Sequence, residues 1–295
     1  MSRNDRGGDP EDENPAEICP EVEQLLYSDK PSVLGDKIAR DLSDYTVAFI
    51  TSKKGELLPA GSGTLVSFRD SYYVLTAAHV WYGRDGKEDG LRRADEILIP
   101  LKENQPTRFS ITQDEIVPFA PEIPPGWNEW GPDTIMLRLP SERIGSIQAV
   151  GRSFYNLSKK REMKIDCVET LFLVGAPSEK GIFTAARAFP QVQAMLLIKA
   201  TGTYLTLASS HALRQDFDYI DLGVDNTLPD VAKRFGGVSG GGLWKVYVYK
   251  SGDGSLESFK VLAGVAYWEE PFDEGLMVRC HGPQTIGTLL RYVPK

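Results

Sequence analysis

Three side chains in this sequence are of the types that nucleophilic acyl chemistry uses, and each stands in a distinctive setting. Ser239 lies in Phe235-Gly236-Gly237-Val238-Ser239-Gly240-Gly241-Gly242-Leu243-Trp244, where five glycines surround one serine. Glycine is costly to order and is kept where backbone must take a positive φ or come close to a neighbour. A serine at such a turn is exposed, and the unshielded N–H groups around it suit the uptake of a developing negative charge. Serine alone is a weak nucleophile at neutral pH and needs a base. The chain has three histidines, and His79 follows an apolar run in Leu75-Thr76-Ala77-Ala78-His79-Val80, with two alanines leaving room for its ring. Asp133 supplies a carboxylate ahead of the strand-like Thr134-Ile135-Met136-Leu137-Arg138-Leu139. The order is His, Asp, Ser, with gaps of 54 (133 − 79) and 106 (239 − 133). The bland alternatives are a structural histidine at a strand end, a turn aspartate after proline, and a tight turn with an incidental serine. His211 and His281 read as structural or surface residues. Cys280 and His281 are too isolated for a metal site, and neither a metal nor a cofactor is expected.

The elements that must position these groups are short and β-rich. Runs at Tyr45 to Thr51, Gly63 to Phe68, Tyr72 to Thr76, Leu98 to Leu101, Phe109 to Thr112 and Ile135 to Leu139 read as strands of a first half. A second half offers Cys167 to Val174, Ala194 to Ala200, Tyr204 to Leu207, Tyr219 to Leu222, Leu243 to Tyr249 and Phe259 to Tyr267. Gly83 to Glu96 and the proline-rich Pro118 to Pro132 read as loops, and Pro283 to Tyr292 as a closing helix. The expected division is an acidic disordered leader over 1–17, a helical arm over 18–44, a first β unit over 45–140, a linker over 141–160, a second β unit over 161–280 and a C-terminal helix over 281–295.

The chain has 295 residues, 41 % hydrophobic and 25 % charged, as globular proteins do. Its net charge of −8 argues against nucleic acid or an anionic membrane as partner, since phosphate binding rests on Lys and Arg. The polar leader has no apolar signal core, and no apolar run approaches the roughly 18 residues of a membrane span. Cys19, Cys167 and Cys280 form no disulfide framework. The expectation is a cytoplasmic protein.

With these residues in view, the sequence resembles the trypsin/chymotrypsin-like serine protease family over about residues 45–292, in the manner of its bacterial, intracellular members. The matching pieces are Gly61-Ser62-Gly63-Thr64-Leu65-Val66, Val74-Leu75-Thr76-Ala77-Ala78-His79, Asp133 to Leu139, the Gly-x-Ser-Gly-Gly run, and Leu262-Ala263-Gly264-Val265-Ala266-Tyr267-Trp268, with Leu173-Val174-Gly175-Ala176-Pro177 as a strand end. The resemblance implies an all-β fold of two antiparallel six-stranded β-barrels with the active site in the cleft between them. It implies a serine endopeptidase in which Ser239 attacks, His79 is the general base and Asp133 orients it. The N–H groups of Gly237 and Ser239 would form the oxyanion hole. Ala266, Tyr267, Trp268, Glu269 and Lys233 would bind a protein or peptide substrate.

The sequence also departs from that pattern. Val238 stands where the digestive enzymes carry an acid that pairs with a new N-terminus, so the site is either formed from the start or switched on by another route, such as a protein partner. Tyr267 replaces a small serine and Glu269 a glycine that leaves the specificity pocket open. Lys233 favours an acidic side chain there and Glu269 a basic one, so the preference stays open. Two other functions compete: a catalytically silent relative that binds peptides or partner proteins, and an α/β-hydrolase using Asp273 and His281. The second needs a helix after the serine, and the residues after Ser239 read as a strand.

Overall fold

The computed structural model describes residues 33–53, 56–83, 90–94, 96–100, 108–120, 132–159, 168–177, 182–186, 193–197, 202–205, 208–214, 217–224, 234–272 and 275–294. The leader over 1–17, half of the Gly83 to Glu96 loop and the segment carrying Trp127 and Trp130 lie outside these residues. The first half holds β1 (Thr46–Lys53), β2 (Glu56–Phe68), β3 (Ser71–Thr76), β4 (Glu96–Pro100), β5 (Arg108–Ile111), β6 (Val117–Phe119), β7 (Ile135–Arg138) and β8 (Tyr155–Asn156). The second holds β9 (Val168–Gly175), β10 (Ile182–Ala186), β11 (Gln193–Leu197), β12 (Gly202–Leu205), β13 (Ala208–Arg214), β14 (Phe217–Val224), β15 (Gly242–Lys250), β16 (Leu256–Phe272) and β17 (Gly275–His281). Helices are α1 (Val33–Ser43), α2 (Ala78–Tyr82), α3 (Ser141–Ala149) and α4 (Pro283–Leu289).

The first sheet runs β5-β4-β1-β2-β3-β7-β6 with antiparallel neighbours, and β8 lies parallel to β2. The second runs β12-β9-β15-β16-β17-β14-β13, also antiparallel. The expected fold class is the one the chain adopts: all-β, two antiparallel units, a helix ahead of the first strand and a helix after the last. A strand, β15, follows Ser239 directly, which removes the α/β-hydrolase reading. The stretch expected as a linker carries α3, whose Ile144 and Ile147 are buried, and β8. β17 was not among the expected strands. Its glycine start and its Arg279 and His281 dilute the apolar pattern, yet Leu276, Val278 and Cys280 are buried.

Side chains alternate across a strand, and here the alternation builds three cores. In β3, Val74 joins the first sheet's core with Leu65, Ile97 and Leu137. Its neighbours Tyr73 and Leu75 face the other way, into a core shared between the sheets with Trp244, Val246 and Val248 of β15 and Ile286 and Leu289 of α4. The third core, within the second sheet, packs Leu173, Leu222, Leu243 and Val278. α4 is moored by Asp218, whose carboxylate accepts from the N–H groups of Gln284 and Thr285 at 3.0 and 2.7 Å. The shared core keeps β3, which leads to His79, against β15, which leads away from Ser239.

Candidate active site

α2 begins beside His79, and its N-cap, Ala77, has no side chain to satisfy the free N–H groups of a first helical turn. Asp133, arriving just ahead of β7, does so from outside the helix. Its Oδ1 accepts from the His79 N–H at 2.8 Å, and its Oδ2 lies 2.6 Å from His79 Nδ1. One carboxylate thus holds both the main chain and the ring of His79, leaving Nε2 for a reactant. The two side chains keep 18 % and 22 % of their surface. Burial pushes the Asp133 carboxyl up, but the charge of His79 and its hydrogen bonds outweigh this and hold it below the usual carboxylate value.

Behind Asp133 stands His281, the last residue of β17 and fully buried. The Asp133 N–H donates to His281 Nε2 at 2.9 Å, so that nitrogen carries a lone pair and the ring proton sits on Nδ1. Burial pushes His281 down to about 4, which keeps it neutral near pH 7. Its ring stacks on Tyr267 at 4.2 Å and 11°. The structural reading of His281 holds, but sequence reasoning missed that it props the backbone of Asp133. The available signal was its place among only three histidines.

The serine loop is held by backbone rather than by charge. Gly237 and Gly240 take φ of +91° and +88°, the left-handed region that glycine enters without strain. A β-carbon on Gly240 would lie 2.0 Å from both the Ser62 carbonyl oxygen and Thr76 Oγ1. The Gly240 N–H donates to the Ala266 oxygen at 2.7 Å, and the Ala266 N–H returns a bond to the Gly241 oxygen at 2.9 Å. The N–H groups of Val238 and Gly241 are used within the turn. Those of Gly237 and Ser239 make no hydrogen bond among the described residues, nor does the half-buried Ser239 hydroxyl. Val238, where the resembled enzymes carry an acid, is buried against Gly175 in the third core.

Ser62, quoted in the sequence only as part of a motif, ties this loop to the first sheet. Its N–H donates to the Ser239 oxygen at 2.8 Å. Its Oγ donates to the Gly237 oxygen at 2.6 Å and accepts from the Ala176 N–H at 2.8 Å. A bulge sets this up: the β1–β2 register slips between Phe49 and Ile50, leaving Ala60 without a partner in β1. Bulges re-aim a strand beside a site. Here Gly61 comes so close that a β-carbon on it would lie 2.8 Å from Val80, next to His79, and 3.2 Å from the Ser239 oxygen.

A narrow pocket opens beside Ser239. Ala266, Tyr267, Trp268 and Glu269 line it, as do Phe235, Gly236, Val238 and Val278. Glu269 Oε2 accepts from the Phe235 N–H at 2.5 Å. The Tyr267 ring turns inward onto His281 and is almost wholly buried. Lys233 lies outside the described residues.

No family model matches this sequence, and no curated protein matches it. Among solved structures the chain is similar to the protease Anisep from Arthrobacter nicotinovorans, at 15 % identity and a TM-score of 0.39, over 83 % of this chain and 93 % of that one. It is also similar to a chain solved in work on coupled folding and binding of the intrinsically disordered Sesbania mosaic virus VPg protein, at 12 % identity and a TM-score of 0.40, over 86 % and 98 %. At these values neither likeness assigns an activity.

Proposed function

We propose that this chain is a serine endopeptidase of the trypsin-like kind, acting through Ser239, His79 and Asp133. The observation that carries the reading is the double hold of Asp133 on His79, which leaves Nε2 unengaged beside a serine loop with two unused N–H groups. Ser239 Oγ attacks the peptide carbonyl carbon while His79 Nε2 takes its proton. The oxyanion is received by the Gly237 and Ser239 N–H groups. Losing one such donor typically costs about 3–4 kcal/mol of transition-state stabilisation. His79 passes its proton to the leaving amine, and an acyl-enzyme remains. Water then attacks the ester with His79 again as base, freeing the acid and Ser239. Asp133 keeps the ring proton on Nδ1 and stabilises the imidazolium.

The substrate main chain lies along β16, whose pairing with β15 ends at Gly242↔Val265, one residue before Ala266. An extended peptide adding to such an edge is a common recognition mode. Val238 supports a site formed from the start, because apolar burial does the anchoring that an ion pair does in zymogen-derived enzymes. A protein partner that sharpens the site is compatible with this. Neither nucleic acid nor a membrane is proposed as partner; among the described residues no helix is long and apolar enough to cross a membrane. The buried, unpaired Cys280 supports a reducing, cytoplasmic setting.

The test is cleavage of a proteome-derived peptide library by wild type and Ser239→Ala. Sites cut by wild type alone support the reading; identical profiles remove it. The competing reading, a silent peptide-binding domain, draws on the narrowness of the pocket, and it predicts peptide binding that survives Ser239→Ala with no cleavage by either protein.

A further inference from the structure

We infer that Glu269 sets the substrate class of this site, restricting the residue on the acyl side of the scissile bond to glycine, alanine or serine. The inference rests on the peptidase reading and deepens it. The pocket beside Ser239 has two walls, residues 266–269 of β16 and residues 235–239 of the serine loop. The bond from the Phe235 N–H to Glu269 Oε2, 2.5 Å long, joins those walls and lays the glutamate side chain across the space between them. Hydrogen bonds to a carboxylate are short and strong, and Phe235 is itself buried. Swinging Glu269 aside would break that charge-assisted bond between the two walls.

The space that remains is about 20 Å³. A single water needs about 10–15 Å³, so a methyl or hydroxymethyl group fits and a benzyl or lysyl chain does not. The pocket's Val238 and Val278 are buried and apolar, and offer no charge to a long polar side chain. One oxygen of the Glu269 carboxylate, Oε2, is taken by the Phe235 N–H. The side chain fills and braces the pocket, and the small space beside it is too short for a lysyl chain to extend along the carboxylate.

Peptidyl diphenyl phosphonates that differ only at the acyl-side residue (Ala, Phe, Lys or Glu) test this on the full chain, with Ser239 labelling followed by intact mass spectrometry. A small fluorophosphonate without such a side chain runs alongside. The alanine reagent is expected to label about 100-fold faster than the phenylalanine and lysine reagents, the scale on which a pocket discriminates by size. Glu269→Gly should bring the phenylalanine rate to within about tenfold of alanine. Glu269→Gln, whose amide oxygen can still accept from the Phe235 N–H, should keep the wild-type ranking. Labelling by the small probe together with equal rates for alanine and phenylalanine in wild type overturns the inference alone. An unchanged ranking in a Glu269→Gly protein that still melts cooperatively does the same. If that variant does not fold, the wild-type ranking and Glu269→Gln decide. Failure of every reagent, the small probe included, removes the peptidase reading and this inference with it.

Discussion

The two sides of the site hold their chemistry in different ways. On the His79 side the grip is electrostatic: a partly exposed carboxylate bonds a ring and a backbone N–H, and a neutral imidazole props it from behind. On the Ser239 side almost everything is backbone. Glycines with positive φ, main-chain bonds to Ala266 and the embedded hydroxyl of Ser62 shape the loop. The difference teaches what each group requires. A base needs its charge and tautomer managed, whereas a nucleophile with an oxyanion hole needs N–H groups aimed, and only conformation aims them. Substitutions on the first side should therefore cost rate more than stability, and on the second side both together.

The largest expected effect is Asp133→Asn. The amide can still accept from the His79 N–H, so the fold should persist, while acylation of Ser239 falls by about ten-thousand-fold. Stopped-flow labelling beside urea melts would break the comparison if stability fell and rate did not. Next comes Gly240→Ala. Its β-carbon collides with Ser62 and Thr76 at a positive φ, and strain plus overpacking should cost about 3–5 kcal/mol in chemical denaturation, with labelling lost in step.

Acid sharpens the comparison from the His79 side. His281 has its folded pKa pushed from 6.5 down to about 4, so between those values the unfolded chain binds a proton that the folded chain refuses. Stability is full above pH 6.5 and is lost as pH falls towards 4, by about 3 kcal/mol in all. Asp133, also lowered, adds its loss only below the ordinary carboxylate value. Urea midpoints measured across this window should slope in wild type and flatten in His281→Gln. The smallest effect is Ser62→Ala. It strands the Gly237 carbonyl and the Ala176 N–H, for about 1–3 kcal/mol, and slows labelling even though residue 62 touches no substrate. Unaltered labelling at reduced stability would show that the loop keeps its shape without this strap.

Much of this was legible in the sequence, and the parts that were not share a cause. Apolar runs marked β3 and β7, which bury both faces, and β15, which buries alternate residues from Trp244 to Val248. The glycine run marked the serine loop because a β-carbon added at Gly240 or Gly241 would lie 2.0 or 2.3 Å from the backbone oxygen of Ser62 or Val174. Long-range polar partners were not legible. The bonds of Ser62 to residues 176, 237 and 239, of His281 to Asp133, and of Glu269 to Phe235 join segments 34 (269 − 235) to 177 (239 − 62) residues apart. Periodicity and local motifs carry no trace of them. β17 escaped notice for a related reason: its Arg279 and His281 are buried by partners, Asp221 and Asp133, that only the folded sheet supplies.

Central to all of this is a Ser239 made nucleophilic by His79. The most direct measurement is fluorophosphonate labelling of the full chain with the modified residue located by peptide mapping. The account predicts one adduct, on Ser239, that forms in wild type and is lost in His79→Ala although both proteins are folded. An adduct that forms as fast without the imidazole, or none on folded wild type, would contradict it.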